Sequence, residues 1–169
     1  MSKTAVKEES HSSDLQQSLA GKYLTFALAS EEYGLPVLRV REIIKMMDIT
    51  AVPQVPPYVR GVINLRGKVI AVVDLRLKFN LDAMPAGDRT AIIVVELDLP
   101  AGRTLVGVLV DAVSEVLNIV GDEIEPTPTF GAQVDTTFML GVAKVKGTVK
   151  ILLDLNQVFE AEGALPRVA

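Results

Sequence analysis

The sequence predicts a mostly β fold, two copies of one small β-rich unit packed as a pair of small barrels with short helices. Three observations carry this. Apolar residues alternate with a period of two through most apolar segments. No amphipathic helical stripe is longer than about two turns. And a nineteen-residue block starting at Gly61 returns, altered, at Gly141.

Taken in order, residues 1–20 are polar and charged and read as a disordered leader. From Tyr23 the alternation of Leu24, Phe26 and Leu28 with Tyr23, Thr25, Ala27 and Ala29 predicts a strand. A turn at Ser30-Glu31-Glu32 leads to a second strand, Tyr33 to Val37. Val40, Ile43, Ile44 and Met47 then fall at i, i+3, i+4 and i+7, which predicts a short amphipathic helix. Pro53, Pro56 and Pro57 enforce an extended connection. Val62 to Val73 reads as a hairpin with Arg66-Gly67 at its tip, and Asp74 as the cap of a short helix, Leu75 to Phe79. Residues 81–88 form a linker. Strands follow at Ala91 to Leu97 and Leu105 to Val110, around a turn at Pro100-Ala101-Gly102, and at Ser114 to Val120. A loop with Pro126 and Pro128 precedes a second hairpin, Phe138 to Leu153, around Lys146-Gly147. A helix from Leu155 to Phe159 and a loose tail from Gly163 close the chain.

The repeat is specific. GVINLRGKVIAVVDLRLKF (61–79) and GVAKVKGTVKILLDLNQVF (141–159) share seven of nineteen residues, against roughly one or two expected from composition. The shared ones are Gly61/Gly141, Val62/Val142, Gly67/Gly147, Val69/Val149, Asp74/Asp154, Leu75/Leu155 and Phe79/Phe159. GLPVLRVREII (34–44) and GVLVDAVSEVL (107–117) share a glycine, two valines and a glutamate. The offsets are 80 and 73, so the copies differ by seven residues of loop.

Composition narrows the chemistry. The chain has 169 residues, 49% hydrophobic and 22% charged, with no cysteine and one histidine, His11, in the polar leader. Disulfides, thiolate metal sites, cysteine nucleophiles and a single-chain Ser-His-Asp triad are excluded. A net charge of −4, a pI near 5.1 and only eight aromatic residues argue against nucleic acid as a partner. No apolar run reaches membrane-spanning length, so no direct membrane insertion is expected and the cytoplasm is the default location. Neither a cofactor nor a bound metal is expected. Gly61 to Val69 resembles a phosphate-binding loop but has the wrong glycine spacing and Val69 where a hydroxyl is needed. Asp74 and Asp154 could be imagined as paired catalytic carboxylates, yet capping explains each at about 1 kcal/mol. The apolar stripe from Val40 reads first as core. Arg66 stands apart, since nothing local asks for an arginine at a hairpin tip, and arginine is enriched at partner interfaces.

EEYGLPVLRVREI (31–43), the 61–79 block and GVLVDAVSEVL (107–117) together resemble the CheW family of bacterial chemotaxis coupling proteins, with NLRG followed by VVDLR the most specific part. The resemblance covers residues 21–160 and implies two intertwined five-stranded β-barrels with a hydrophobic groove between them. It divides the domain into lobes of about 21–85 and 88–160, with strand exchange left open, and a tail at 161–169. It implies a non-enzymatic adaptor, cytoplasmic and recruited to membrane receptor arrays, joining chemoreceptor cytoplasmic tips to the regulatory domain of a CheA-type histidine kinase. Receptor contacts would fall on Val37, Val40, Glu42, Ile43, Arg66, Gly107 and Val108. The main kinase contact would involve Ile49, Thr50, Val52, Val59 and Arg60. A second, ring-closing kinase contact would use the loop from Glu125 to Phe130, where some relatives carry a basic residue at the position of Glu125. An adaptor of a sister chemosensory pathway, such as twitching motility, fits the same residues. A small-molecule-binding barrel is the alternative of another class and would need convergent polar groups in a pocket.

Overall fold

The computed structural model of the chain describes residues 19–100, 102–127 and 137–160. Eleven strands among these residues form two sheets. The strands are β1 (Gly21–Leu28), β2 (Glu31–Pro36), β3 (Val40–Lys45), β4 (Val59–Leu65), β5 (Lys68–Asp74), β6 (Ala91–Leu99), β7 (Gly102–Val110), β8 (Ala112–Ile119), β9 (Ile124–Glu125), β10 (Met139–Val145) and β11 (Thr148–Leu153). Two short helices, α1 (Leu75–Lys78) and α2 (Leu155–Glu160), follow β5 and β11. The first sheet runs β8-β1-β2-β11-β10-β9 and the second β3-β6-β7-β5-β4. Neither ladder closes on itself, and the first has a sixth strand because two-residue β9 adds to its edge.

The repeat is visible in backbone detail. Both hairpins turn on two residues of positive φ, Arg66-Gly67 (51° and 87°) and Lys146-Gly147 (54° and 79°). That geometry matches strand twist and favours glycine at the second position. Both hairpins slip register at the same place, between Val59 and Gly61 and between Met139 and Gly141. The Asp74 N–H donates to the Tyr58 carbonyl at 2.8 Å and the Asp154 N–H to the Phe138 carbonyl at 2.8 Å, again 80 residues apart. Asp74 caps α1 by accepting from the Arg76 N–H, and Asp154 immediately precedes α2.

The copies exchange strands. β3 leaves the hairpin β1–β2 and pairs with β6, while β8, its counterpart at the 73-residue offset, pairs with β1. Each sheet therefore mixes both halves of the sequence, so the boundary near residues 85–88 separates sequence copies and not sheets. Three layers of apolar side chains result. The largest lies between the sheets and joins Leu24, Phe26 and Leu35 to Val95, Leu97, Val106 and Val108. Smaller clusters fill the concave interior of each sheet, around Ile119, Ile124 and Leu152 in the first and Ile63, Ile70, Val72 and Val94 in the second. β6 faces apolar layers on both sides, which explains its nearly unbroken aliphatic run.

Three expectations differ from this structure. The helix expected from Val40 is the edge strand β3, alternating half-buried and exposed residues. Val40 and Ile44 share a face in a helix and in a strand alike, only Ile43 separates the two periods, and β-branched side chains tilt the choice toward a strand, which leaves Ile43 on the exposed face. The first turn sits one residue earlier, at Ala29-Ser30. And Leu19, inside the segment expected to be disordered, is half-buried: it packs on the first sheet's interior, and its carbonyl accepts from the Tyr23 hydroxyl at 2.6 Å. Residues 1–18, with His11, and 161–169 lie outside the described residues.

Candidate interaction site

The edges of the second sheet, β3 and β4, come together at both ends of its concave face. At one end Thr50, beyond β3, forms a backbone bridge with Val62 of β4, with N–H···O distances of 2.9 Å in both directions. At the other, the β4–β5 turn reaches across to β3. The Arg66 guanidinium donates through Nη2 to both carboxylate oxygens of Glu42, at 2.6 Å each. Those hydrogen bonds raise the arginine's pKa above its ordinary value. Glu42 therefore supplies what the sequence could not show, a partner for the tip arginine 24 residues away. Below the pair lies a cleft of about 590 Å³ lined by Val40, Leu65, Ile70, Val94 and Leu105, with Arg41 and Lys68 beside them. The accessible lining is mainly polar, from Arg41, Glu42, Arg66 and Lys68, with a smaller apolar strip at Val40, Leu65 and Leu105, an arrangement that suits an amphipathic partner. The Arg66 side chain is 73% exposed, so donors beyond the Nη2 engaged by Glu42 face solvent and can meet a partner carboxylate.

Of the residues expected to face a receptor, the structure brings Val40, Glu42 and Arg66 together at this cleft. Ile43 is 45% exposed nearby on β3, and Val37 is half-buried against the main core. Gly107 and Val108 do not belong with them. Val108 has no exposed surface and sits in the layer between the sheets. Gly107 faces Ile92 and Val72, whose methyl groups leave no room for a Cβ. Both lie in the buried middle of β7, which pairs with β5 on one side and β6 on the other.

The residues expected to face the kinase divide likewise. Thr50 and Arg60 are exposed and Val52 is half-buried. Ile49 packs on the second sheet's interior, and Val59 is a core residue at 5% exposure that, beyond the register slip at Gly61, joins the layer between the sheets. Arg60 donates from Nη1 to Asp74 Oδ2 at 3.3 Å. Glu125 lies on edge strand β9 and pairs with Lys144 Nζ at 3.0 Å. Phe130, like Pro128, falls outside the described residues.

Sequence reasoning missed Leu38. It occupies the 3-10 turn Val37–Arg39 that carries the chain from one sheet to the other, and it is 96% exposed. The surrounding charges are paired: Arg39 with Asp98 at 3.0 Å and Arg41 with Glu96 at 3.1 Å. No periodicity signals such a residue, because its exposure follows from the strand exchange. Among the described residues no group of His, Cys, Asp and Glu is arranged to hold a metal, and no helix is long and apolar enough to cross a membrane.

Comparison with known proteins agrees along nearly the whole chain. The CheW-like domain family matches residues 22–163. The chain is 32% identical to the chemotaxis protein CheW of Klebsiella aerogenes over 146 residues, 86% of each protein. It is 36% identical to the chemotaxis protein CheW of Bacillus subtilis over 145 residues, 85% of this chain and 89% of the relative. The crystal structure of the scaffolding protein TtCheW from Thermoanaerobacter tengcongensis superposes with a TM-score of 0.74 at 37% identity, covering 86% of this chain and 97% of that one.

Proposed function

The chain belongs to the CheW-like domain family of chemotaxis scaffold proteins, and from that premise we propose that it couples the cytoplasmic tips of chemoreceptors to the regulatory domain of a CheA-type histidine kinase. In this reading it catalyses no reaction, works in the cytoplasm, and reaches receptor arrays only through its partners. Residues 21–160 are the working unit. The observation that supports it most is the cleft under the Arg66–Glu42 pair. A receptor tip is a helical hairpin, and such a helix would lay an apolar stripe against Val40, Leu65 and Leu105 while Arg66 meets a carboxylate or carbonyl at the rim. Thr50 and Arg60, with half-buried Val52 between them, form the accessible part of the expected kinase surface, and Glu125 marks the second contact. Ile63, Ile70 and Leu152 pack inside the two sheets, which favours an interaction surface over a small-molecule site there.

The test is a titration of the full chain with a receptor cytoplasmic fragment, run beside thermal melts. Arg66→Ala should weaken receptor binding at least tenfold while leaving the melting temperature nearly unchanged, because the side chain is mostly solvent-exposed. Val40→Asp should also weaken binding, with some loss of stability from its core-facing half. Undiminished binding by Arg66→Ala would remove this arginine from the receptor site.

A further inference from the structure

The two points where the chain crosses between sheets are not equivalent. At the first, β2 passes to β3 through Val37-Leu38-Arg39, with Leu38 exposed. At the second, β7 passes to β8 through a single residue, Asp111, which is the counterpart of Leu38 at the 73-residue offset. Asp111 binds both sheets. Its N–H donates to the Ala27 carbonyl at 3.1 Å, and its Oδ2 accepts from the Ala29 N–H at 2.8 Å, both in the β1–β2 hairpin of the first sheet. Both carboxylate oxygens also accept from Arg76, through Nε and Nη2 at 2.7 Å each. Arg76 comes from α1, on the second sheet, and its side chain is 10% exposed.

Arg76 is itself fixed from below. Its N–H donates to the capping Asp74, whose other oxygen accepts from Arg60, and its Nη1 donates to the Asp82 carbonyl at 3.0 Å. A continuous set of charge-assisted hydrogen bonds thus runs from exposed Arg60 on the second sheet to the β1–β2 turn of the first. The second copy makes a weaker contact at the matching place: Asn156, the counterpart of Arg76, accepts from the Asp98 N–H of β6 at 3.1 Å, and Asp98 pairs with Arg39 at the other crossover, on the surface and without a buried arginine–carboxylate pair. The final arginine of the VVDLR motif therefore has a task that neither turn geometry nor capping requires.

We propose that Arg76 and Asp111 are a positioning pair that holds the two sheets at one fixed angle, so that partner surfaces on different sheets are presented together. This rests on the coupling reading above, in which Arg60, Thr50 and the Arg66 cleft lie on the second sheet and Glu125 on the first. Binding one partner needs one surface. The receptor cleft and the main kinase surface share the second sheet, whereas extending the assembly adds the Glu125 contact on the first sheet at a set relation to them, and the pair acts on that step.

The experiment compares full-length wild-type chain, Arg76→Ala and the milder Asp111→Asn in three assays beside thermal melts. These are binding to a receptor cytoplasmic fragment, binding to the isolated kinase regulatory domain, and receptor-dependent activation of the full kinase. Each variant that folds at the assay temperature should keep both binary dissociation constants within about twofold of wild type and lose at least tenfold in activation. Unchanged activation would overturn the proposal. So would a parallel loss of binary binding and activation, or failure of both variants to fold, since the pair would then serve stability alone. Failure of the wild-type chain to bind either partner would instead overturn the coupling reading.

Discussion

The hairpins at 61–79 and 141–159 share a backbone and differ in what their edges do. Both turn on a cation followed by glycine, both slip register at a glycine, and both end on an aspartate before a short helix. Yet Arg66 is tied to Glu42 across a cleft, whereas Lys146 makes no ion pair among the described residues, and Glu115, the counterpart of Glu42, is exposed. The interiors differ too: Ile70 packs among aliphatic residues, while its counterpart Lys150 is buried and paired with Glu32. The residues retained in both copies set the architecture. The residues that differ carry the candidate site and the clasp between sheets.

The largest test of this division lies at the paired glycines. A Cβ on Gly61, at φ 142°, would lie 2.0 Å from the Thr50 carbonyl oxygen. On Gly141 the nearest atom is the Glu125 carbonyl oxygen at 2.9 Å. Gly61→Ala should cost about 3 kcal/mol or more, since it combines a backbone clash with strained φ, and Gly141→Ala about 1 to 2 kcal/mol. Chemical denaturation of both variants would show whether the edge at Thr50 in the second sheet is held more tightly than the edge at Glu125 in the first.

Thr25 offers a smaller test. Its hydroxyl donates to the Glu115 carbonyl at 2.8 Å and accepts from the Glu115 N–H at 3.1 Å, filling the irregularity between β1 and β8. The matching position opposite Glu42 is Val94, which offers no such bonds. Thr25→Val should therefore destabilise by about 1 to 2 kcal/mol, because Glu115 loses buried partners. A neutral result would mean that the first sheet tolerates the bulge as the second does.

Legibility in the sequence follows the same division. The two hairpins, both aspartate caps and the alternating strands were readable because local turn chemistry and periodicity specify them. The strand β3 was not, since Val40 and Ile44 share a face in helix and strand alike, Ile43 favours the helix period, and its partner β6 begins beyond Asp88. At the site, Arg66 stood out as an arginine without a local reason, and Glu42 supplies that reason only in three dimensions. Val59, Gly107 and Val108 looked accessible in one dimension and are enclosed in three, because strand exchange covers both faces of β7 and Val59, beyond the slip at Gly61, joins the layer between the sheets. Leu38 was passed over for the converse reason.

Acidity should separate the two crossovers more gently. The Arg76 hydrogen bond lowers the pKa of Asp111, helped by the Ala29 N–H and opposed by burial. A carboxylate with a lowered folded pKa stabilises above its unfolded value of about 4 and loses that contribution as pH falls through the folded value. The stability gap between wild type and Asp111→Asn should thus hold from pH 7 to about 5 and narrow below about 4 in denaturant titrations. A gap that does not change with pH would mean that Asp111 acts through its hydrogen-bond geometry and not its charge.

The central claim, that the first copy's edge meets the receptor while the second copy's edge does not, has an internal control in the paired turns. Amide resonances of the isotope-labelled chain, followed while a receptor cytoplasmic fragment is added, report Gly67 and Gly147 in one experiment. The account predicts saturable shifts at Gly67 and around Glu42, with Gly147 left in place. Shifts centred on Gly147, or equal shifts at both turns, would contradict it.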